Sequence, residues 1–226
     1  RVLYLVPSIQ LLSQSLRGWT ADSKYRDDMI TFAVCSDRKV TKKTKGDNEF
    51  DDITSADIGY PPTTDFNKLI GRQKEIESSN NQSKFMVVFS TYQSIDVIIE
   101  AQKNGFYEFD LVICDEAHRT TGATELGKEA SAFVKVHSNN NIKAKKRLYQ
   151  TATPRIYGED AKKKAEEMSV VIADMNDTEI YGEEFYRLGF GDAVRKGILT
   201  DYKVMVLAVD EEAVARDFQT MLANKR

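Results

Sequence analysis

Two cysteines in 226 residues, Cys35 and Cys114, are too few for a disulfide framework, and Cys114 sits inside an apolar run; a reduced, cytoplasmic chain is expected. No run of about 18 apolar residues occurs, so no membrane partner is expected, and the opening residues lack the pattern of a secretory leader. A basic excess is missing as well. Thirty-two Lys and Arg face 35 Asp and Glu, a net charge of -3, so the chain as a whole does not attract phosphate and any nucleic-acid surface must be a local patch. Internal repeats and low-complexity linkers are absent, which leaves no obvious boundary except near residue 200, where a new apolar run follows "KGILTD". The initiator Met is absent too: the chain opens with Arg1 directly on "VLYLVP" and ends in the helix-like "DFQTMLANKR", so it is expected to be a piece of a longer polypeptide.

What is present is ordinary for a globular core, with 41% hydrophobic and 30% charged residues. Short apolar runs recur at 2–6, 29–34, 85–90, 109–114, 147–152, 170–173 and 202–209. Their apolarity is continuous rather than alternating, which predicts strands covered on both faces. Helical patterns fall between them, including "SIQLLSQSLRGW", "DFNKLIGRQKEIE", "TYQSIDVIIEAQKN" closed by Gly105, "GEDAKKKAEEM" and "FGDAVRKGIL". Strand and helix in alternation predict an α/β fold, a parallel sheet with helices on both faces. Residues 36–64 read as a long charged surface insertion, and its Lys39, Lys42, Lys43 and Lys45 as a solvated loop, because "DNEFDD" follows and cancels their charge.

The string "LVICDEAHRTTG" (111–122) runs four apolar residues into Asp115, Glu116 and His118. Ligands of parallel α/β sheets bind beyond the carboxyl ends of the strands. A strand ending at Cys114 therefore delivers two carboxylates to the functional edge, one suited to Mg²⁺ and its neighbour to activating water. "TATP" (Thr151 to Pro154) closes another apolar run, and "VPSIQLLSQ" (6–14) and "FSTYQS" (89–94) place Ser, Thr and Gln at strand-to-helix junctions. Hydroxyls and helix N-terminal N–H groups are phosphate ligands.

Taken in order, these strings resemble superfamily 2 helicase motors: "DEAH" is similar to motif II, "TATP" to motif III, "VPSIQLLSQ" to motif Ia and "FSTYQS" to the backbone-contacting motif between them. The longer strings "CDEAHRTTG", "KRLYQTATPRIYG" and "LGFGDAVRKGILTDYKVMVLAV" resemble the motors of restriction enzymes, type ISP above all and the type I and III restriction subunits. The resemblance implies a first RecA-like domain over 1–200, with 201–226 as linker and start of a second such domain. It also implies ATP and Mg²⁺ as cofactors, and duplex DNA, a second RecA-like domain and nuclease or methyltransferase domains as partners. Its catalytic set would be Asp115 (on the metal), Glu116 (activating water) and His118. Thr151 and Thr153 would act with His118 in coupling, while Ser8, Gln10, Ser90 and Thr91 would lie near DNA phosphates.

One departure stands out. The family's phosphate loop, G-x-x-x-x-G-K-[ST] on a strand before motif Ia, has no counterpart ahead of "RVLYLVP", so the fold is expected without its first strand and this segment alone is expected to bind ATP poorly. "GATELGKE" (122–129) imitates the loop through Gly122, Gly127 and Lys128, but Glu129 replaces the hydroxyl and the leading strand is missing. Three other functions compete with a DNA motor: a DEAH-type RNA helicase, a non-enzymatic helicase-derived module and, least favoured, a metal hydrolase using Asp115, Glu116 and His118 together. His137 is read as a surface residue, Lys143, Lys145, Lys146 and Arg147 as solvated, and the strand aromatics and Trp19 as core.

Overall fold

A computed structural model describes residues 1–25, 28–35, 62–79, 85–125, 131–168 and 170–203. The expected run at 202–209 from Val204 onward, the helix-like "DFQTMLANKR" and the lysines of the charged insertion lie outside the described residues. The chain divides into two units, Arg1–Glu183 and Glu184–Arg226.

The first unit is built on five parallel strands: β1 (Val2–Val6), β2 (Met29–Val34), β3 (Phe85–Thr91), β4 (Phe109–Cys114) and β6 (Ala144–Tyr149), in the order β2-β3-β1-β4-β6. Alternate residues of β1 feed two cores. Leu3 and Leu5 pack with Val88, Val112 and the helical Leu69, Ile95 and Ile98, whereas Val2, Tyr4 and Val6 pack with Phe89, Leu12 and Leu16. Helices α2 (Phe66–Ser78) and α3 (Ile95–Lys103) thus cover one face and α1 (Ile9–Asp22) the other. Both faces being dry, all five residues of β1 are buried, as its continuous apolarity predicts. Gly105 closes α3 in the left-handed region, φ 95°.

Two expectations are corrected. The run at 147–152 is a strand that starts earlier, at Ala144, and stops at Tyr149. As the last strand of the sheet it keeps polar residues in its first half: Lys145 pairs with Asp110 at 2.6 Å, and Arg147 donates to the carbonyls of Val136 and Ile142 at 2.7 Å, so Arg147 ties the 136–142 loop rather than standing in solvent. The run at 170–173 forms a strand, β7 (Val170–Ala173), but outside the parallel sheet. It pairs antiparallel with β5 (Gly122–Glu125), Gly122 opposite Ala173. Apolarity marks a strand without naming its partner. Helix α4 (Glu159–Glu167) precedes β7, and α5 (Thr178–Tyr181) follows it, capped by Asp177, which accepts from Glu179 N at 2.9 Å.

In the second unit, α6 (Phe190–Arg195) starts at Gly189, and the Phe190 and Tyr202 rings meet edge to face with centroids 4.6 Å apart. Among the described residues no helix is long and apolar enough to cross a membrane.

Candidate functional site

Register brings the polar strand ends to one edge. Val6 lies opposite Thr91, Leu5 opposite Cys114, and Cys114 opposite Tyr149, so Pro7–Ser8, Tyr92–Gln93, Asp115–Glu116 and Gln150–Thr151 all emerge together. Backbone bonds continue the ladder past the strands: Asp115 N donates to Leu5 O, Gln150 N to Cys114 O and Ala117 N to Gln150 O, at 2.8–2.9 Å. The acidic turn and the "TATP" loop are therefore stitched side by side.

Asp115 is aimed from two directions. Its Oδ2 accepts from the Tyr4 hydroxyl at 3.1 Å and its Oδ1 from the Glu116 backbone N–H at 3.0 Å. Burial holds the Tyr4 phenol above its ordinary range, so at neutral pH Tyr4 is the donor. A second tyrosyl contact fixes the backbone, Tyr92 donating to the Asp115 carbonyl at 2.9 Å. Glu116 sits in the left-handed region, φ 50°, ψ 45°, and is the one non-glycine residue with positive φ among the described residues. That turn lets the chain drop at once into a 3-10 turn, Ala117–Thr120. Asp115 and Glu116 therefore leave the strand on a bend, and the alternation of side chains along a strand does not apply to them.

His118 Nδ1 faces three oxygens: Thr151 Oγ1 at 3.0 Å, Thr153 Oγ1 at 3.3 Å and Glu116 Oε2 at 3.3 Å. A carboxylate can only accept, which favours the proton on Nδ1. Thr153 N donates to Thr151 Oγ1 at 3.1 Å, closing the loop on itself. The five residues expected at the catalytic and coupling positions thus form one connected group. Burial pushes the Cys114 thiol just beneath them up to about 12, which leaves it inert at neutral pH.

The four residues expected near DNA are placed differently. Ser8 caps α1, its Oγ accepting from Leu11 N at 3.3 Å, and Gln10 is exposed on the first turn. Ser90 and Thr91 are buried: Ser90 Oγ donates to the Thr91 carbonyl at 3.0 Å and Thr91 Oγ1 to Ser94 Oγ at 3.1 Å. What the β3–α3 junction shows to solvent is Gln93, whose amide donates to the Pro7 carbonyl at 3.1 Å and joins the two junctions.

Sequence reasoning also misplaced His137. It is half-buried, with Nε2 3.0 Å from the Thr120 carbonyl and Nδ1 2.9 Å from the Tyr149 hydroxyl. No local pattern marks it, because its partners lie 17 and 12 residues away. Tyr4 was read only as core. The signal available was a phenol in the middle of a strand otherwise purely aliphatic, since a buried tyrosine needs a partner for its hydroxyl.

As donors for a cation, this edge offers the oxygens of Asp115, Glu116, Thr151 and Thr153 and the His118 imidazole. Among the described residues no group of three or more His, Cys, Asp or Glu could hold a metal by itself, so the three-ligand hydrolase has no cluster behind it here. One oriented carboxylate fits Mg²⁺, which keeps most of its shell for water and phosphate. The decoy loop begins inside β5, where Gly122 is paired with Ala173, while its Gly127 and Lys128 lie outside the described residues.

Residues 1–156 match the family described as "Type III restriction enzyme, res subunit". The chain belongs to this family. The matched part includes every strand end just described, from Ser8 to Thr153. Among solved structures, the chain is similar to the ATP-dependent type ISP restriction-modification enzyme LlaBIII bound to DNA, with a TM-score of 0.73 and 56% identity over 99% of this chain and 14% of that one. It also resembles a nuclease-deletion mutant of the type ISP enzyme LlaGI in complex with a DNA substrate mimic, with a TM-score of 0.65 and 42% identity over 99% of this chain and 17% of that one. A curated relative is the probable helicase A859L of African swine fever virus (isolate Pig/Kenya/KEN-50/1950), 25% identical over 214 residues, 94% of this chain and 19% of the viral protein. The chain thus spans less than a fifth of the length of each of these relatives. A superfamily 2 helicase motor of the restriction-enzyme type, with its RecA-like α/β fold, is what the family and these neighbours share with it.

Proposed function

We propose that this segment is the first motor domain of an ATP-driven translocase moving along duplex DNA within a restriction-modification enzyme. The observation that carries the reading is the His118 imidazole seated between Glu116 and the two threonines of the "TATP" loop. That arrangement lets the state of the acidic turn be felt by the neighbouring loop. In support, two type ISP relatives were solved with DNA or a DNA mimic, one of them named as ATP-dependent.

Asp115, held by Tyr4 and the Glu116 N–H, would hold Mg²⁺, which when bound with ATP neutralises phosphate charge and fixes the nucleotide. Glu116 Oε accepts the proton of the attacking water. As that carboxylate gains a proton it ceases to be a full acceptor, and the His118 Nδ1–H turns toward Thr151 and Thr153. Ser8 and Gln10, with the exposed Gln93 beside them, meet DNA phosphates without reading bases, while Ser90 and Thr91 shape the turn that presents Gln93. The reading requires a G-x-x-x-x-G-K-[ST] loop elsewhere in the polypeptide, and partner domains in the same chain: a second RecA-like domain with nuclease or methyltransferase domains. Two buried cysteine thiols, Cys35 and Cys114, suit a reducing, cytoplasmic setting.

The test is Glu116→Gln in the full-length polypeptide, assayed for ATP turnover with duplex DNA. Turnover is expected to fall by about 10²-fold or more with DNA binding kept. Near-normal turnover would remove Glu116 from catalysis. Stimulation of the wild type by RNA in place of duplex DNA would favour the RNA helicase, and no turnover at all the interaction module.

A further inference from the structure

Behind the DEAH turn lies a second bonded group that the motor reading leaves unused. The rings of His137, Tyr149 and Tyr181 meet pairwise, with centroids 5.5, 5.0 and 4.8 Å apart. Each comes from a different piece of chain: the loop before β6, the last residue of β6, and the end of α5. His137 and Tyr181 both bond to Thr120, fully buried at the end of the DEAH turn, and Tyr149 joins them through His137.

Donors and acceptors along this group have a fixed sense. A carbonyl only accepts, so at 3.0 Å the Nε2–H of His137 donates to Thr120 O. A neutral ring then has Nδ1 as acceptor, and Tyr149 O–H donates into it at 2.9 Å. Thr120 Oγ1 donates to Ala117 O at 2.8 Å, leaving its lone pairs for the Tyr181 O–H at 3.0 Å. Ala117 N in turn donates to Gln150 O, the residue between Tyr149 and the "TATP" loop. Burial lowers the pKa of His137, which keeps the ring neutral as this pattern needs. Nearby, the Arg147 guanidinium is tied to the loop carbonyls of Val136 and Ile142 and to Asn139 Oδ1.

We infer that His137, with Tyr149 and Tyr181, is a positioning device that locks the DEAH turn to the strand carrying the "TATP" loop, a coupling link additional to His118. The inference rests on the motor reading. His118 joins the two loops at their exposed tips, whereas His137 joins them at their roots. A shift of the acidic turn is passed to β6 as one body only while the roots are bonded. None of the three side chains reaches the acidic edge, so basal turnover does not depend on them.

Four variants of the full-length polypeptide, each checked by thermal melting, test this. His137→Leu is expected to lower duplex-stimulated ATP turnover roughly 3- to 30-fold, the span of mutations along a coupling network, with basal turnover and KM for ATP unchanged. His137→Gln, whose amide reaches as far as Nε2 and can still donate to Thr120 O, restores most of the stimulation. His137→Asn reaches only as far as Nδ1 and does not. Tyr181→Phe removes one hydroxyl from Thr120 with the ring kept, so it decides the matter if His137→Leu does not fold. Full stimulation in His137→Leu or in Tyr181→Phe overturns the device, as does a rise in KM with stimulation intact. A wild type without duplex stimulation overturns the motor reading instead. For that case, amide hydrogen exchange at 117–121 decides separately: it should rise in His137→Leu and recover in His137→Gln, and unchanged exchange overturns the lock.

Discussion

Tyr4 combines two tasks in one side chain. Its ring packs against Trp19 and Phe89 at 5.4 and 5.7 Å, and its hydroxyl reaches the Asp115 carboxylate. Removing the oxygen alone separates them. In Tyr4→Phe the aromatic packing stays and the melting free energy should move by no more than about 1–2 kcal/mol. The magnesium concentration needed for half-maximal ATP turnover should rise by about 10- to 100-fold, the usual loss when a group orienting a metal ligand is removed. An unchanged magnesium titration would make the bond to Asp115 incidental. Such a contact is invisible in the sequence because Tyr4 and Asp115 are 111 residues apart, and only the β1–β4 register joins them. By contrast, Asp115, Glu116 and His118 were legible, since an abrupt change from apolar to ionisable residues marks a strand end locally. His137 failed for the opposite reason: its partners are set by folding, and nothing beside it in the chain announces them.

At the scale of elements, the strand-to-helix junctions decide which polar groups face outward. Sequence alone counted hydroxyls at these junctions without telling which ones the turn would use for itself. Ser90 and Thr91 are used internally, as the last residues of a buried strand must satisfy their own polar atoms. Gln93, one residue beyond the buried Tyr92, is left exposed. Gln93→Ala should therefore lower duplex-stimulated turnover on unrelated sequences alike, by a factor of about 3 to 10 for one uncharged contact, whereas turnover without DNA should stay the same. Loss on one sequence only would mean base readout, and no loss would place the track elsewhere. The main strands were legible because two-sided burial makes them continuously apolar. Residues 144–146 were not, as an edge strand needs no such apolarity, and β7 misled because a four-residue apolar run carries no information on direction or partner.

For the whole molecule, charge is the governing quantity. With 32 Lys and Arg against 35 Asp and Glu, this domain offers few cations to release counterions from DNA. The groups proposed for the track, the half-buried Ser8 and the exposed Gln10 and Gln93, are uncharged. The isolated segment should consequently bind duplex weakly. In the full-length polypeptide, converting Gln10 and Gln93 together to Ala should weaken duplex binding without changing the slope of log affinity against log salt, because each lost phosphate cation would alter that slope by about 0.9. A slope change near one would mean that these positions support a cationic contact. Fold class was legible at this scale from the alternation of strand and helix.

The left-handed backbone of Glu116 has a further consequence, for selection rather than for chemistry. A long side chain in that region is disfavoured by about 1 kcal/mol or more, whereas asparagine tolerates it. Glu116→Asn should raise the melting temperature slightly while abolishing turnover, so heat tolerance and activity pull this position in opposite directions. In a library screened for thermal survival alone, asparagine or glycine should spread at position 116, and a second screen for ATP turnover should drive them out again.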